Sequence, residues 1–292
     1  MFKKAWVLLL VVALVAGAIA VVGCKKAEVA DTTEPEATET AETQGGIADI
    51  TQLTLVPGKL TVATGEPAYY PWVIDDKPET GEGFEPAVIY AVAEKLGFAK
   101  EDVVWTRSQF EAAIAPGPKD FDLNIQQFSI TDERKQAVDF SSPYYITSQA
   151  LVTNSDNAYA GAKTLAELEG AIIGAASGTT SLRVAEEKFA DSVNPYNDND
   201  AAIQALNSGQ IDAVVLDVPT AYYATAAQLD DGKIIGIIDG TEGGDELGIL
   251  LAKDSPLTDA VSAAVDELRA ESVLSQLAEQ WLAANADAVI LK

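Results

Sequence analysis

The chain has 292 residues with 45 acidic against 19 basic side chains, a formal charge of −26, no histidine and a single cysteine. A field of that sign repels nucleic acid and anionic membrane surfaces, and either attracts cationic ligands or serves solubility. Without histidine or a second thiol the chain can form no intramolecular disulfide, and the composition argues against a zinc site or a Cys/His nucleophile, so neither a metal nor a cofactor is expected.

In chain order, Lys3 and Lys4 precede an apolar run from Ala5 to Val22 that ends Val21-Val22-Gly23-Cys24. A charged start, an apolar centre and small residues read as a secretory signal peptide. The ending resembles the lipobox of bacterial lipoproteins, which implies removal of residues 1–23, acylation of Cys24 with palmitate, and a mature chain of 17 basic against 45 acidic residues. The rival reading is an uncleaved anchor, because the run has 18 residues and a span needs roughly 17 to 25. Both put the remainder outside the cytoplasm. Residues 24–54 carry Glu28, Asp31, Glu34, Glu36, Glu39 and Glu42 among Thr, Ala and Gly, a composition that reads as a disordered acidic tether. About 240 residues are left, enough for one large domain or two lobes.

From there short β-branched runs alternate with helical patterns. Strands are expected at Leu60–Thr64, Val103–Trp105, Asp122–Ile125, Ala171–Ala175, Ile211–Leu216 and Ile234–Ile238. Helices are expected at Glu85–Leu96, Gln109–Ala115, Thr180–Phe189, Ala201–Leu206, Pro219–Gln228, Pro256–Glu271 and Val273–Asn285. Val88, Ile89, Val92, Ala93 and Leu96 recur at helical spacing before Gly97. Thr164 to Glu167 reads as a capping box and Ser255-Pro256 as a cap with proline in the first turn. Alternation of the two patterns predicts an α/β architecture with mostly parallel sheets.

Five segments carry a resemblance that covers nearly all of residues 58–285. The stretch from Ser129 through Arg134 to Tyr145, SITDERKQAVDFSSPYY, is similar to the signature of the polar amino-acid family of bacterial extracellular solute-binding proteins (family 3), the receptors of ABC importers. Thr64 to Trp72 is similar to that family's opening ligand loop, and Gly83-Phe84-Glu85 to its Gly-Phe-Asp segment. Gly178-Thr179-Thr180 and Gly209 to Asp217 are similar to elements of its second lobe. The resemblance implies a two-lobed, periplasmic-binding-protein-like fold of type II. Residues 55–148 with 248–292 would form the first lobe and 149–247 the second. The chain would cross near Tyr145–Gln149 and return near Leu247–Gly248, and the ligand would lie between the lobes.

What the resemblance implies for the site agrees with the chemistry of the residues. Arg134 would pair with an α-carboxylate, since a guanidinium offers two parallel donors and stays charged when desolvated. Ser129, Thr179 and Thr180 would add hydroxyl and backbone donors at a helix start. Asp217, ending an apolar strand, would receive the α-ammonium; its structural alternative is a helix cap before Pro219. Tyr69, Trp72 and Phe128 would wall the side-chain pocket, with Gln126 and Gln127 as polar edges. Glu66 matches an acidic position that can approach a cationic side chain, which points to lysine, arginine or a similar ligand. Glu85-Pro86-Ala87 departs from the family's usual Asp-x-Asp, and Gln126-Gln127 replaces small residues.

The implied function is capture of a free amino acid by a monomeric, lipid-anchored receptor that delivers it to a membrane permease and its ATPase, without enzymatic activity. Two alternatives stay open: an exported enzyme on the same fold, resembling the cyclohexadienyl dehydratases, and a solute sensor that does not transport.

Overall fold

The computed structural model describes residues 49–241, 244–282 and 289–292. The expected signal peptide, Cys24 and most of the expected tether lie outside the described residues. The tether's last residues do not: Asp49 caps a helical turn at Ile50–Gln52, and Ile50 packs against the first core. The folded part therefore includes residues that the composition assigns to the tether.

The first half forms β1 (Leu60–Thr64), α1 (Phe84–Lys95), β2 (Val103–Arg107), α2 (Phe110–Ile114), β3 (Leu123–Asn124), β4 (Val138–Phe140) and β5 (Tyr145–Thr147). There follow β6 (Gln149–Asn154), β7 (Ile173–Ala176), α3 (Thr180–Phe189), β8 (Val193–Tyr196), α4 (Asn199–Asn207), β9 (Ala213–Asp217), α5 (Val218–Tyr223) and β10 (Gly232–Ile238). The chain closes with β11 (Asp245–Leu247), β12 (Leu250–Ala252), α6 (Thr258–Ala270), α7 (Val273–Trp281) and β13 (Ile290–Leu291).

Two sheets result, a five-stranded one in the order β2-β1-β3-β12-β4 and a six-stranded one in the order β13-β10-β6-β9-β7-β8. In each, a single strand runs against the rest, β12 in the first and β6 in the second. The antiparallel pair β5 and β11 forms a separate two-stranded ribbon through which the chain leaves the first sheet and returns to it. This is the type II periplasmic-binding-protein architecture.

Alternation along the strands explains the layering. On β6 and β9, Ala150, Val152, Val214 and Leu216 face the core under α4 and α5, while Leu151, Ala213 and Val215 face the core under α3. Both faces are covered, so β9 reads as a continuous apolar run. In the first sheet Leu60 and Val62 face α1, α6 and α7, and Ala63 faces α2. Burial of each such Leu, Ile or Val contributes about 1.5 to 3 kcal/mol.

Several expectations need correction. Residues 289–292 do not join the first lobe: β13 pairs with β10, and Lys292 O accepts from Leu165 N. Thr164 makes no side-chain cap: Glu167 N donates to Thr164 O, and the Glu167 carboxylate accepts from Lys163 N. The helix expected from Pro256 begins at Thr258, since Ser255 Oγ takes up the N–H of Leu257 in a turn just before it. The Pro219–Gln228 helix is α5 followed by a π-helical turn at Ala224–Gln228. Beyond Trp281 the last expected helix passes out of the described residues. None of the helices described is long and apolar enough to cross a membrane.

Candidate ligand-binding site

A cleft of about 640 Å³ lies where the carboxyl ends of both sheets meet, the position ligands take in open α/β sheets and within the usual size for a small-molecule site. Four strands hand their following segments to the wall. The loop after β1 contributes Gly65 to Tyr69, the segment after β3 Gln126, Gln127 and Ser129, the loop after β7 Ser177, Thr179 and Thr180, and the loop after β8 Asn197 to Asn199.

Arg134 opens a short 3-10 turn and is buried. Its Nη1 donates to Ser129 O at 2.7 Å and its Nη2 to Gly178 O at 2.8 Å, so one guanidinium touches both lobes. These bonds use two of the five N–H groups a guanidinium carries. Its planar face lies 5.4 Å from the Phe110 ring, which stacks on Phe128 at 4.8 Å. Burial draws its pKa down, and the negative charge of Asp245 is the leading influence against that. Gly178 is held at φ +72, a conformation side chains rarely adopt, and a Cβ there would press on Glu111 Cγ at 3.2 Å.

Asp217 ends β9 and stands at the cap position of α5, yet its side chain caps nothing. Its Oδ1 accepts from Gln149 Nε2 at 2.7 Å. The group keeps some exposure to the cleft but sits deep in the protein. Burial, reinforced by the charge of Asp245, pushes its carboxyl up to about 7, against the pull of the Gln149 hydrogen bond and of Arg134.

Behind these two lies a polar network. Gln149 Nε2 also donates to Asp245 Oδ2 at 3.1 Å, and its Oε1 accepts from Ser181 Oγ at 2.6 Å. Asp245 Oδ2 further accepts from Ser129 Oγ at 3.1 Å and from Thr180 Oγ1. Glu85, fully buried on α1, accepts from Gln127 N at 2.8 Å, from Gln127 Nε2 and from Tyr144 Oη at 2.6 Å. Burial pushes its carboxyl up to about 7. Its two bonds to Gln127 meet that residue at φ 51, in the left-handed region.

Of the residues singled out in the sequence, Arg134, Asp217, Ser129, Gln127, Gln126, Thr179, Thr180, Tyr69 and Glu66 all line the cleft. Thr179 does so as a helix cap: its Oγ1 accepts from Leu182 N and donates to Ala176 O, which leaves no proton for a ligand. Trp72 and Phe128 do not line it. The Trp72 ring is fully buried against Phe84 and Tyr145, with Nε1 donating to Thr220 Oγ1 at 2.9 Å. The left-handed Gln127 interrupts the strand's two-residue alternation, so Phe128 turns into the core beneath α2. Phe110 takes the wall position expected of Phe128. Gln149, Asp245, Phe110 and the acidic pair Glu111 and Asp198 escaped sequence reasoning. Two polar atoms at the wall, Tyr69 Oη and Gln126 Oε1, are buried without a hydrogen-bond partner. Burial raises the pKa of the Tyr69 hydroxyl, and Asp200 and Asp198 raise it further.

The sequence pattern of the bacterial extracellular solute-binding proteins, family 3, matches residues 60–284. The chain belongs to that family. Among its relatives, the L-arginine-binding protein of Pseudomonas aeruginosa is 29% identical over 233 residues, 74% of this chain and 85% of that protein. The L-cystine-binding protein of Escherichia coli is 28% identical over 243 residues, 82% of this chain and 88% of that one. An ancestral amino-acid-binding protein, a precursor of cyclohexadienyl dehydratase, has a solved structure of TM-score 0.63 and 28% identity that covers 77% of this chain and 95% of its own. This solute-binding protein therefore carries its candidate site in the interlobe cleft that the fold provides.

Proposed function

We propose that this solute-binding protein captures a free amino acid between its lobes and delivers it to the permease of an ABC importer. The observation that carries the reading is the opposition of Arg134 on the first lobe to Asp217 on the second, across one cleft. A zwitterion satisfies both: its carboxylate meets the remaining guanidinium donors and the start of α3, and its ammonium returns Asp217 to the charged state. Contacts from both lobes give the ligand a higher affinity for the closed arrangement, so binding shifts the population toward closure, the form a permease reads. The ligand's side chain points toward Tyr69 Oη and Gln126 Oε1 and an acidic border of Glu66, Glu111 and Asp198. That border supports a cationic side chain, and the arginine-binding relative agrees with it. Cys24 would carry the lipid that keeps the monomeric receptor at the outer face of the membrane.

A dehydratase-like enzyme is the second reading, supported by the raised carboxyl of Asp217 in the cleft and by the ancestral relative. The other raised carboxyl, Glu85, is fully buried and bound to Gln127 and Tyr144, and it does not line the cleft. Incubating the full-length protein with each ligand that binds and recovering it for NMR tests the choice: an unchanged amino acid supports the receptor, and a dehydrated or decarboxylated product supports the enzyme.

A further inference from the structure

Asp245 lies on β11, the returning strand of the hinge ribbon, and its Oδ2 gathers donors from both lobes: Ser129 Oγ from the first, Thr180 Oγ1 and Gln149 Nε2 from the second. Ser129 Oγ and Thr180 Oγ1 are themselves 3.1 Å apart. Each hydroxyl has one proton. A carboxylate in contact with both is the strongest acceptor within reach, so both protons are held inside this triangle, on Asp245 directly or through the neighbouring hydroxyl. Both residues line the cleft, and a hydroxyl oxygen whose proton is held in this way has only lone pairs left for a ligand.

We infer that Asp245 is a specificity-determining residue: it acts through Ser129 and Thr180 to turn a pair of hydroxyls that would donate to a ligand carboxylate into acceptors for ligand N–H groups. The inference rests on the amino-acid-binding reading and changes what that reading asks of the site. Ligand carboxylate is left to Arg134 and to the backbone at the start of α3. A carboxylate drawn toward the hydroxyls would have to take a proton away from Asp245, leaving that charge short of a donor. Arg134 is moreover one positive charge under the influence of Asp245, Glu133 and Asp217, with Arg183 opposing them, so the cleft favours ligands with an excess of positive charge. The consequence is a narrowed preference between an amino acid and the amine that lacks its carboxylate.

Calorimetric titration of the full-length protein with L-arginine and agmatine, and with L-lysine and cadaverine, tests this. Asp245→Asn is expected to raise the ratio of amino-acid to amine affinity about tenfold, the worth of one hydrogen bond to a charged group. A ratio within threefold of the wild-type value overturns the inference. Ser129→Ala keeps the test independent of the folding of the first variant. It is expected to weaken the amine more than the amino acid, and a larger loss for the amino acid shows that the hydroxyl donates to carboxylate and overturns the assignment. If the wild-type protein binds neither pair, the inference fails, and if it binds no other amino acid either, the underlying reading fails with it. Binding with unmoved ratios removes the inference alone.

Discussion

Lowering the pH from 8 to 6 is expected to weaken amino-acid binding about tenfold, because Asp217 must be ionised to hold an ammonium. In the empty protein its carboxyl is pushed up to about 7, first by burial and next by the charge of Asp245, with Gln149 and Arg134 opposing. A ligand ammonium beside it stabilises the carboxylate and lowers that pKa, so binding expels a proton. With a free-state pKa near 7, about nine-tenths of the molecules are ready at pH 8, about half at pH 7 and about one-tenth at pH 6. The affinity follows that fraction, a change of about 1.4 kcal/mol from pH 8 to pH 6. Titration calorimetry at the three pH values, repeated in buffers of different ionisation enthalpy, reads affinity and proton release together. About half a proton should leave per ligand at pH 7 and about nine-tenths at pH 6. Glu85 titrates in the same range, so the Asp217→Asn variant serves as the control: its weaker binding should lose most of the pH dependence. A wild-type affinity that is flat from pH 6 to pH 8, with no proton released, refutes the reasoning.

Arg134→Ala and Asp217→Ala should each weaken binding by several kcal/mol, because each leaves a desolvated ligand charge unpaired; calorimetry that finds either variant equal to wild type removes that residue from the site. Phe128→Ala should destabilise the fold by about 3 to 5 kcal/mol in a urea melt, as a fully buried ring beneath Phe110, whereas Glu66→Gln should leave the melt unchanged and weaken lysine or arginine in preference to neutral amino acids. The ligand-free protein should lose stability as pH rises from about 4 to 7: Glu85 and Asp217 have folded values near 7, above their ordinary 4.5 and 3.8, so folding keeps protons that the unfolded chain gives up. Thermal melts at pH 5 and pH 8 that show no such fall at constant ionic strength contradict these burials.

Much of the fold was legible because strands buried on both faces are continuous apolar runs and helices mark themselves by spacing and by glycine stops. Leu60–Thr64 and Thr180–Phe189 fall where the pattern puts them. The strands β4, β5, β11 and β12 did not announce themselves. They are three residues long each and owe their existence to partners far along the chain, such as Leu250 opposite Phe140. The cleft residues were found through the similarity of a whole motif, which marks positions without saying which way a side chain turns. Phe128 shows the limit: a single left-handed residue before it reverses its direction, and no local pattern identifies Gln127 as that residue. Asp245 and Gln149 were illegible for another reason. Their role comes from hydrogen bonds spanning 116, 65 and 96 residues of sequence, and each reads alone as an ordinary polar residue at the edge of a strand.

The most direct test of the central claim is a thermal-shift screen of the full-length protein against the twenty amino acids. A ligand that binds only the folded state at a hundred times its Kd adds about 2.7 kcal/mol of stability. A raised melting temperature is expected with at least one amino acid, lysine or arginine foremost, and a loss of that rise in Asp217→Ala. No rise with any amino acid would contradict the claim.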